Sequence, residues 1–153
     1  MSRCFDSARA GWMACVLVLL GLVPRPALGQ TIGGRVGVSA DPDQFYFGAH
    51  VETKPIVDRL TFRPNIEIGL GDDVTLAALN FEFAYKVRSR GPWDLYAGGG
   101  PALNIYRSQG NSHAEGGFNL LIGLAHREGL FVEAKVGVLD SPSFKFGIGY
   151  VFR

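Results

Sequence analysis

The chain has 153 residues, and its 15 lysines and arginines against 14 aspartates and glutamates leave a formal charge of +1. Near-neutrality gives no reason to invoke nucleic acid. The only cysteines, Cys4 and Cys15, lie near the amino end, which excludes a disulfide framework or a thiolate metal site in everything that follows.

The first segment reads as an export signal. Arg3 and Arg9 precede an apolar run from Gly11 to Val23, and Pro24-Arg25-Pro26 leads into Ala27-Leu28-Gly29. A basic start, a short apolar stretch and a small-x-small site make a secretory signal peptide. The run is too short for a comfortable membrane helix, which needs about 20 apolar residues. Cleavage is expected after Gly29, so residues 1–29 leave and residues 30–153 form one domain. Both cysteines go with the signal. Losing Arg3, Asp6, Arg9 and Arg25 leaves 12 basic and 13 acidic residues of the original 15 and 14.

The remainder reads as eight strands and no helix. Period-two alternation covers 32–39, 44–53, 59–71, 74–88, 93–107, 113–126, 130–139 and 143–152, with turn residues between. Pro64 and Pro101 fall inside the third and fifth strands, where each forfeits a ladder bond and is expected to mark a bulge. Gly98-Gly99-Gly100 likewise suggests a bend or bulge.

The two faces of these strands differ. Ile66, Ile68, Leu79, Phe81, Phe83, Leu120, Ile122 and Leu124 typify one face, which carries no charge at its centre. The other holds Arg35, Arg63, Lys86, Arg127, Lys135 and Lys145, with Glu52, Glu67, Glu82, Asp94, Glu115 and Glu133. His50, Tyr96 and Asn65, Asn80, Asn104 and Asn119 share the charged face, together with many glycines.

Alternation alone does not say which face is inside. A soluble barrel puts the charges in water; a membrane barrel reverses this. Small residues on the charged face suit the narrow interior of eight strands. Six bases against six acids suit a desolvated interior. Phe45, Tyr46, Trp93, Tyr106, Phe144 and Phe152 near strand ends suit aromatic girdles. The reading is therefore an all-β, eight-stranded, antiparallel, up-and-down transmembrane β-barrel, with the twelve charged residues forming a lumen network.

The last strand carries the most specific signal. Lys145, Gly147, Tyr150 and Phe152 stand at the spacing polar-x-Gly-x-x-aromatic-x-aromatic. This resembles the C-terminal insertion signal of bacterial outer-membrane barrels. The whole of 30–153 resembles the small eight-stranded outer-membrane class that includes the OmpA transmembrane domain and OmpX. The resemblance implies residence in the bacterial outer membrane, with the amino terminus in the periplasm and the connections near Asp41, Asp72, Gln109 and Ser141 outside. It implies outer-membrane lipid, periplasmic chaperones and the barrel-assembly machinery as partners. Short outer connections weigh against an adhesive role.

No chemistry stands out. His50/Glu52, His113/Glu115 and His126/Glu128 each pair a histidine with a glutamate on one strand face, a spacing that suits metal ligation or acid–base coupling. No further cluster completes a metal site. Barrel lipid A deacylases need His-x-Ser, and here glutamate takes that offset. No enzyme activity, cofactor or metal is expected. The expected role is structural or envelope-integrity, with the lumen plugged by paired charges. The alternatives are a narrow porin-like channel and a soluble periplasmic lipocalin-like carrier of an apolar ligand.

Overall fold

A computed structural model describes residues 30–87, 89 and 91–153. The expected signal peptide, 1–29, lies outside the described residues, as do Arg88 and Arg90. Eight strands follow one another: β1 Thr31–Ala40, β2 Gln44–Glu52, β3 Leu60–Leu70, β4 Thr75–Val87, β5 Trp93–Ser108, β6 Asn111–His126, β7 Leu130–Leu139 and β8 Phe144–Phe152. Each pairs with its sequence neighbours, and β8 pairs back onto β1, so the sheet closes into a barrel. Closure removes both sheet edges from the wall.

The registers fix the shape of this barrel. Steps between directly opposed residues run from Gly33 to His50, Asn65, Asn80, Ala102, Gly117 and Leu139. With the last two registers continued, the path reaches position 141 and then the line of β1 at position 43, ten residues beyond its start. Stagger and tilt are linked, and such a stagger goes with strands inclined by roughly 35–45°. Residues far apart along the wall are therefore brought to one level.

No ladder contains a bulge, contrary to the expectation for Pro64 and Pro101. At Pro64 the β2–β3 pairing stops at His50↔Asn65 and resumes with Thr53 N donating to Phe62 O at 3.0 Å, in unchanged register. At Pro101 the β4–β5 pairing skips between Asn80↔Ala102 and Phe83↔Gly99, again without a shift. Each proline omits a hydrogen bond but adds no residue, so the faces stay in phase. The glycines of 98–100 add no bulge either. A β-carbon at Gly98 or Gly100 would run into the carbonyl oxygen of Phe83 or Phe81, so these glycines permit the close approach of β4 and β5.

One end of the barrel carries short turns at 41–43, 71–74, 109–110 and 140–143; the other carries both ends of the described chain. The β5–β6 turn is a two-residue hairpin with positive φ at Gln109 (47°) and Gly110 (85°), the conformation that glycine and amide side chains tolerate best. Beyond the level where β7 stops, β6 keeps only β5 as a neighbour, from Leu103↔Gly116 to Ser108↔Asn111, while β5 stays paired with β4 as far as Thr75↔Arg107.

The distribution of polarity inverts that of a water-soluble barrel. Among the described residues, thirty large hydrophobic side chains are exposed, including Phe47, Ile66, Phe81, Leu120, Ile122, Phe146 and Ile148. Those on the strands form a belt around the outside, far larger than the patches a soluble monomer presents. Arg35, Arg63, Glu67, Glu82, Glu133, Lys135 and Lys145 are buried within. This overturns the soluble-carrier alternative, which needed the apolar face inside as a cavity wall.

Two aromatics expected in the girdles point inward instead. Tyr46 is buried in the lumen between outward Phe45 and Phe47, and Tyr106 donates through its hydroxyl to Asp140 O at 3.4 Å. Alternation itself dictates this, because both have the parity of the polar face.

Candidate functional site

The lumen is filled in three layers. At its centre, seven charges from five strands meet. Glu67 on β3 lies at the hub. Its Oε1 accepts from Lys135 Nζ at 2.8 Å and Arg35 Nη1 at 3.4 Å, and its Oε2 accepts from Lys145 Nζ at 2.8 Å. Glu133 joins the two guanidinium groups, accepting from Arg35 Nη1 at 2.7 Å and from Arg63 Nη1 at 3.2 Å. Lys135 reaches Glu82 Oε1 at 2.6 Å. In the strand stagger lies the reason why such distant residues meet: β1 supplies Arg35, β7 supplies Glu133 and Lys135, and β8 supplies Lys145.

A chain of amides extends this network across the wall. Asn119 Nδ2 donates to Asn80 Oδ1 at 2.9 Å, Asn80 Nδ2 to Asn65 Oδ1 at 2.7 Å, and Asn65 Nδ2 to Glu82 Oε2 at 2.8 Å. Every link points its donor towards the Glu82 carboxylate, so the dipoles reinforce one another. Sequence reasoning put these asparagines on the inner face but did not join them; their near-equal level on β3, β4 and β6 follows only from the register. Replacing Asn80 with alanine is expected to cost about 1–3 kcal/mol, because it strands the Asn119 donor and the Asn65 acceptor. Urea-induced loss of Trp93 emission order measures it, and a shift no larger than for an exposed turn residue would count against a dry lumen.

Towards the turn end the lumen is roofed. Asn104 Nδ2 donates to Asp140 O at 2.7 Å and to Ser141 Oγ at 3.1 Å, Gln44 Nε2 donates to Val74 O at 2.8 Å, and Pro142 is fully buried. Towards the other end the packing turns apolar. Ala84, Tyr96 and Leu121 cluster, with Phe131 and Val151 also buried. Tyr96 keeps its hydroxyl satisfied by donating to Glu133 Oε2 at 2.8 Å, and the Arg63 guanidinium stacks 5.0 Å from its ring centroid.

Outside this apolar layer lies a mouth of about 400 Å³, lined by Glu52, Asp58, Arg59, Lys86, Asp94 and Arg153 among others. An adjoining recess that shares Glu52, Lys86 and Arg153 narrows to about 20 Å³ against Arg63, Tyr96 and Phe131. That is the room of about one water.

Of the twelve charges assigned to the lumen, the structure gathers Arg35, Arg63, Glu67, Glu82, Glu133, Lys135 and Lys145 at the centre. Glu52 and Lys86 form an ion pair at the mouth, with Glu52 Oε2 4.0 Å from Arg63 Nε. Three do not join. Asp94 accepts from Ser89 N at 3.0 Å at the rim, Glu115 lies 3.5 Å from His113 on the stretch of β6 that runs beyond β7, and Arg127 is exposed in the turn after β6. All three have the right alternation but sit past the closed part of the wall. The six-to-six balance is therefore four bases to three acids at the centre.

The other histidine pairs do not converge. His126 Nδ1 lies 3.8 Å from Glu128 at an exposed turn, whereas His50 turns into the lumen with neither ring nitrogen hydrogen-bonded. Among the described residues, no three His, Cys, Asp or Glu side chains come together as metal ligands. On β8, Lys145 and Gly147 face inward, Gly147 against Tyr46, while Tyr150 and Phe152 face outward with ring centroids 5.4 Å apart.

No family model and no curated protein matches the sequence. Solved structures do match. The N-terminal β-barrel domain of Pseudomonas aeruginosa OprF is 16% identical with a TM-score of 0.62, covering 80% of this chain and 96% of that one. Neisserial surface protein A is 13% identical with a TM-score of 0.63, covering 80% and 93%. Yersinia pestis Ail in a bilayer nanodisc is 13% identical with a TM-score of 0.47, covering 80% and 99%. Closed topology, an apolar exterior and a charged interior agree with the first two likenesses: the chain has the fold of the small eight-stranded outer-membrane β-barrels.

Proposed function

We propose that the protein is an integral outer-membrane barrel with a structural or envelope-integrity role, its lumen closed by the central charge network. The observation that carries this is the filling of the interior. Seven buried charges and the amide chain occupy the middle, and the mouth narrows to about 20 Å³ where it meets Arg63 at their edge. Eight strands enclose room only for their own side chains. The exposed apolar belt supplies the contact with outer-membrane lipid. The short-turn end faces outward and the chain ends face the periplasm in this reading. There the β8 residues Lys145, Gly147, Tyr150 and Phe152 serve as the assembly signal for chaperones and the insertion machinery.

Planar-bilayer recording of the purified barrel tests the closed lumen. A steady zero current is expected at moderate voltage. Discrete conductance steps would overturn the reading in favour of a narrow channel. Location is tested separately by washing cell envelopes with high salt and carbonate, and the protein is expected to stay with the outer membrane.

A further inference from the structure

The central network is rich in donors, and its carboxylate acceptors are all taken. Among the described residues, all six oxygens of Glu67, Glu82 and Glu133 already accept hydrogen bonds. Yet Arg35 Nε and Nη2, Arg63 Nε and both ring nitrogens of His50 are buried with no hydrogen-bond partner. Arg63 Nε has Glu52 Oε2 at 4.0 Å, too far for a bond. Arg35 and Arg63 are each 3% exposed and His50 is 2% exposed, so bulk water does not serve them.

These three side chains are neighbours. They project from β1, β2 and β3 and surround one ring across the lumen. The guanidinium carbons of Arg35 and Arg63 each lie 5.6 Å from the Phe131 centroid, and the His50 ring meets the same phenyl edge-on at 5.4 Å. The charge points the same way. Four buried bases face three buried acids, and adding the Glu52–Lys86 pair leaves the excess at one positive charge. A buried uncompensated charge is costly, as is each orphaned donor.

We propose that Arg35, Arg63 and His50 form a binding site for a single small monovalent anion of halide type. Such an ion only accepts hydrogen bonds and carries the one negative charge that the centre lacks. Arg35 Nε and Nη2 and Arg63 Nε donate to it, and His50 adds a ring N–H from the β2 side. Gly33 makes this placement possible, because a β-carbon there would collide with the His50 ring. A divalent anion would reverse the imbalance, and a cation finds no free carboxylate oxygen.

The test uses the barrel folded in detergent micelles, so its outcome is independent of whether the lumen conducts. Thermal unfolding is followed in sodium chloride, sodium bromide and sodium gluconate at equal ionic strength. Above the dissociation constant, each tenfold rise in halide is expected to raise the folded-to-unfolded ratio about tenfold, as for one site. Gluconate, too large for the site, is expected to give no such rise. His50→Gln is expected to shift the halide dependence to higher concentration while still folding. Bromide-soaked crystals of the wild type provide a readout without any variant: an anomalous peak is expected between Arg35, Arg63 and His50. Equal unfolding in chloride and gluconate, a halide effect unaltered in His50→Gln, or water in place of bromide at that position would each overturn the proposal.

Discussion

Replacing Glu67 with alanine is expected to destabilise the folded barrel by about 3–5 kcal/mol, the usual cost of removing one partner from a buried ion cluster. Glu67 is the residue whose loss strands the most charge. Lys135 would retain Glu82, but Lys145 would keep only the face of Tyr46, 5.5 Å away, and Arg35 would keep Glu133 with Glu82 at 4.0 Å. The comparison variant is Glu115→Ala, whose carboxylate is half-exposed and touches only His113; it is expected to stay within about 0.5 kcal/mol of the parent. Urea titrations monitored by Trp93 fluorescence read both. A double variant, Glu67→Ala with Lys145→Met, is expected to recover part of the loss, because it removes the stranded cation too. Equal midpoints for Glu67→Ala and the parent would mean that water reaches the centre and screens it.

The second large effect is expected on the outside. Ile122 stands near the middle of the part of β6 that is paired on both sides, 117–125; it is 53% exposed, between Ala97 on β5 and Ala134 on β7. Ile122→Arg is expected to cost about 2–4 kcal/mol in a bilayer, the penalty for a cation at mid-depth on a barrel's lipid face. Small neighbours offer the guanidinium no acceptor nearby. Val57→Arg, in the connection before β3 and 66% exposed, adds the same charge outside the belt and is expected to fold like the parent. Folding into vesicles, read by the difference in gel mobility between boiled and unboiled samples, separates the two. If both variants fold equally well, the belt does not sit in lipid.

Much of this fold is legible in the chain because alternation survives from end to end. The strands β1 to β8 lie within about two residues of the runs marked by period two, since every turn interrupts the pattern with Gly, Pro, Asp or Asn. Face polarity was legible for the same reason. What was not legible is who meets whom. Arg35 and Glu133 are partners because of a ten-residue stagger, a property of the closed ring and not of any strand by itself. The prolines misled in a related way. Locally each breaks a ladder, but whether a residue is added depends on the opposite strand, which here continues in step. Asp94, Glu115 and Arg127 had the correct parity and the wrong height, and height is again a matter of stagger. His50 could have been singled out by its place opposite Gly33, where the partner strand leaves room for a ring.

The seam between β1 and β8 bears on the order of assembly. It joins the first described strand to the last, from Ile32↔Phe152 to Ala40↔Phe144. Contacts between chain ends form late, because the entropy of bringing them together is lost before anything rewards it. Glu67 takes its cations from β1, β7 and β8, so its shell stays incomplete in any open sheet that has not yet zipped shut. Before closure these side chains remain hydrated and screened; at closure they lose water and gain partners in one event. The charge network thereby acts as a latch on the finished ring: it gives little to a half-built sheet and resists reopening once the last seam has formed.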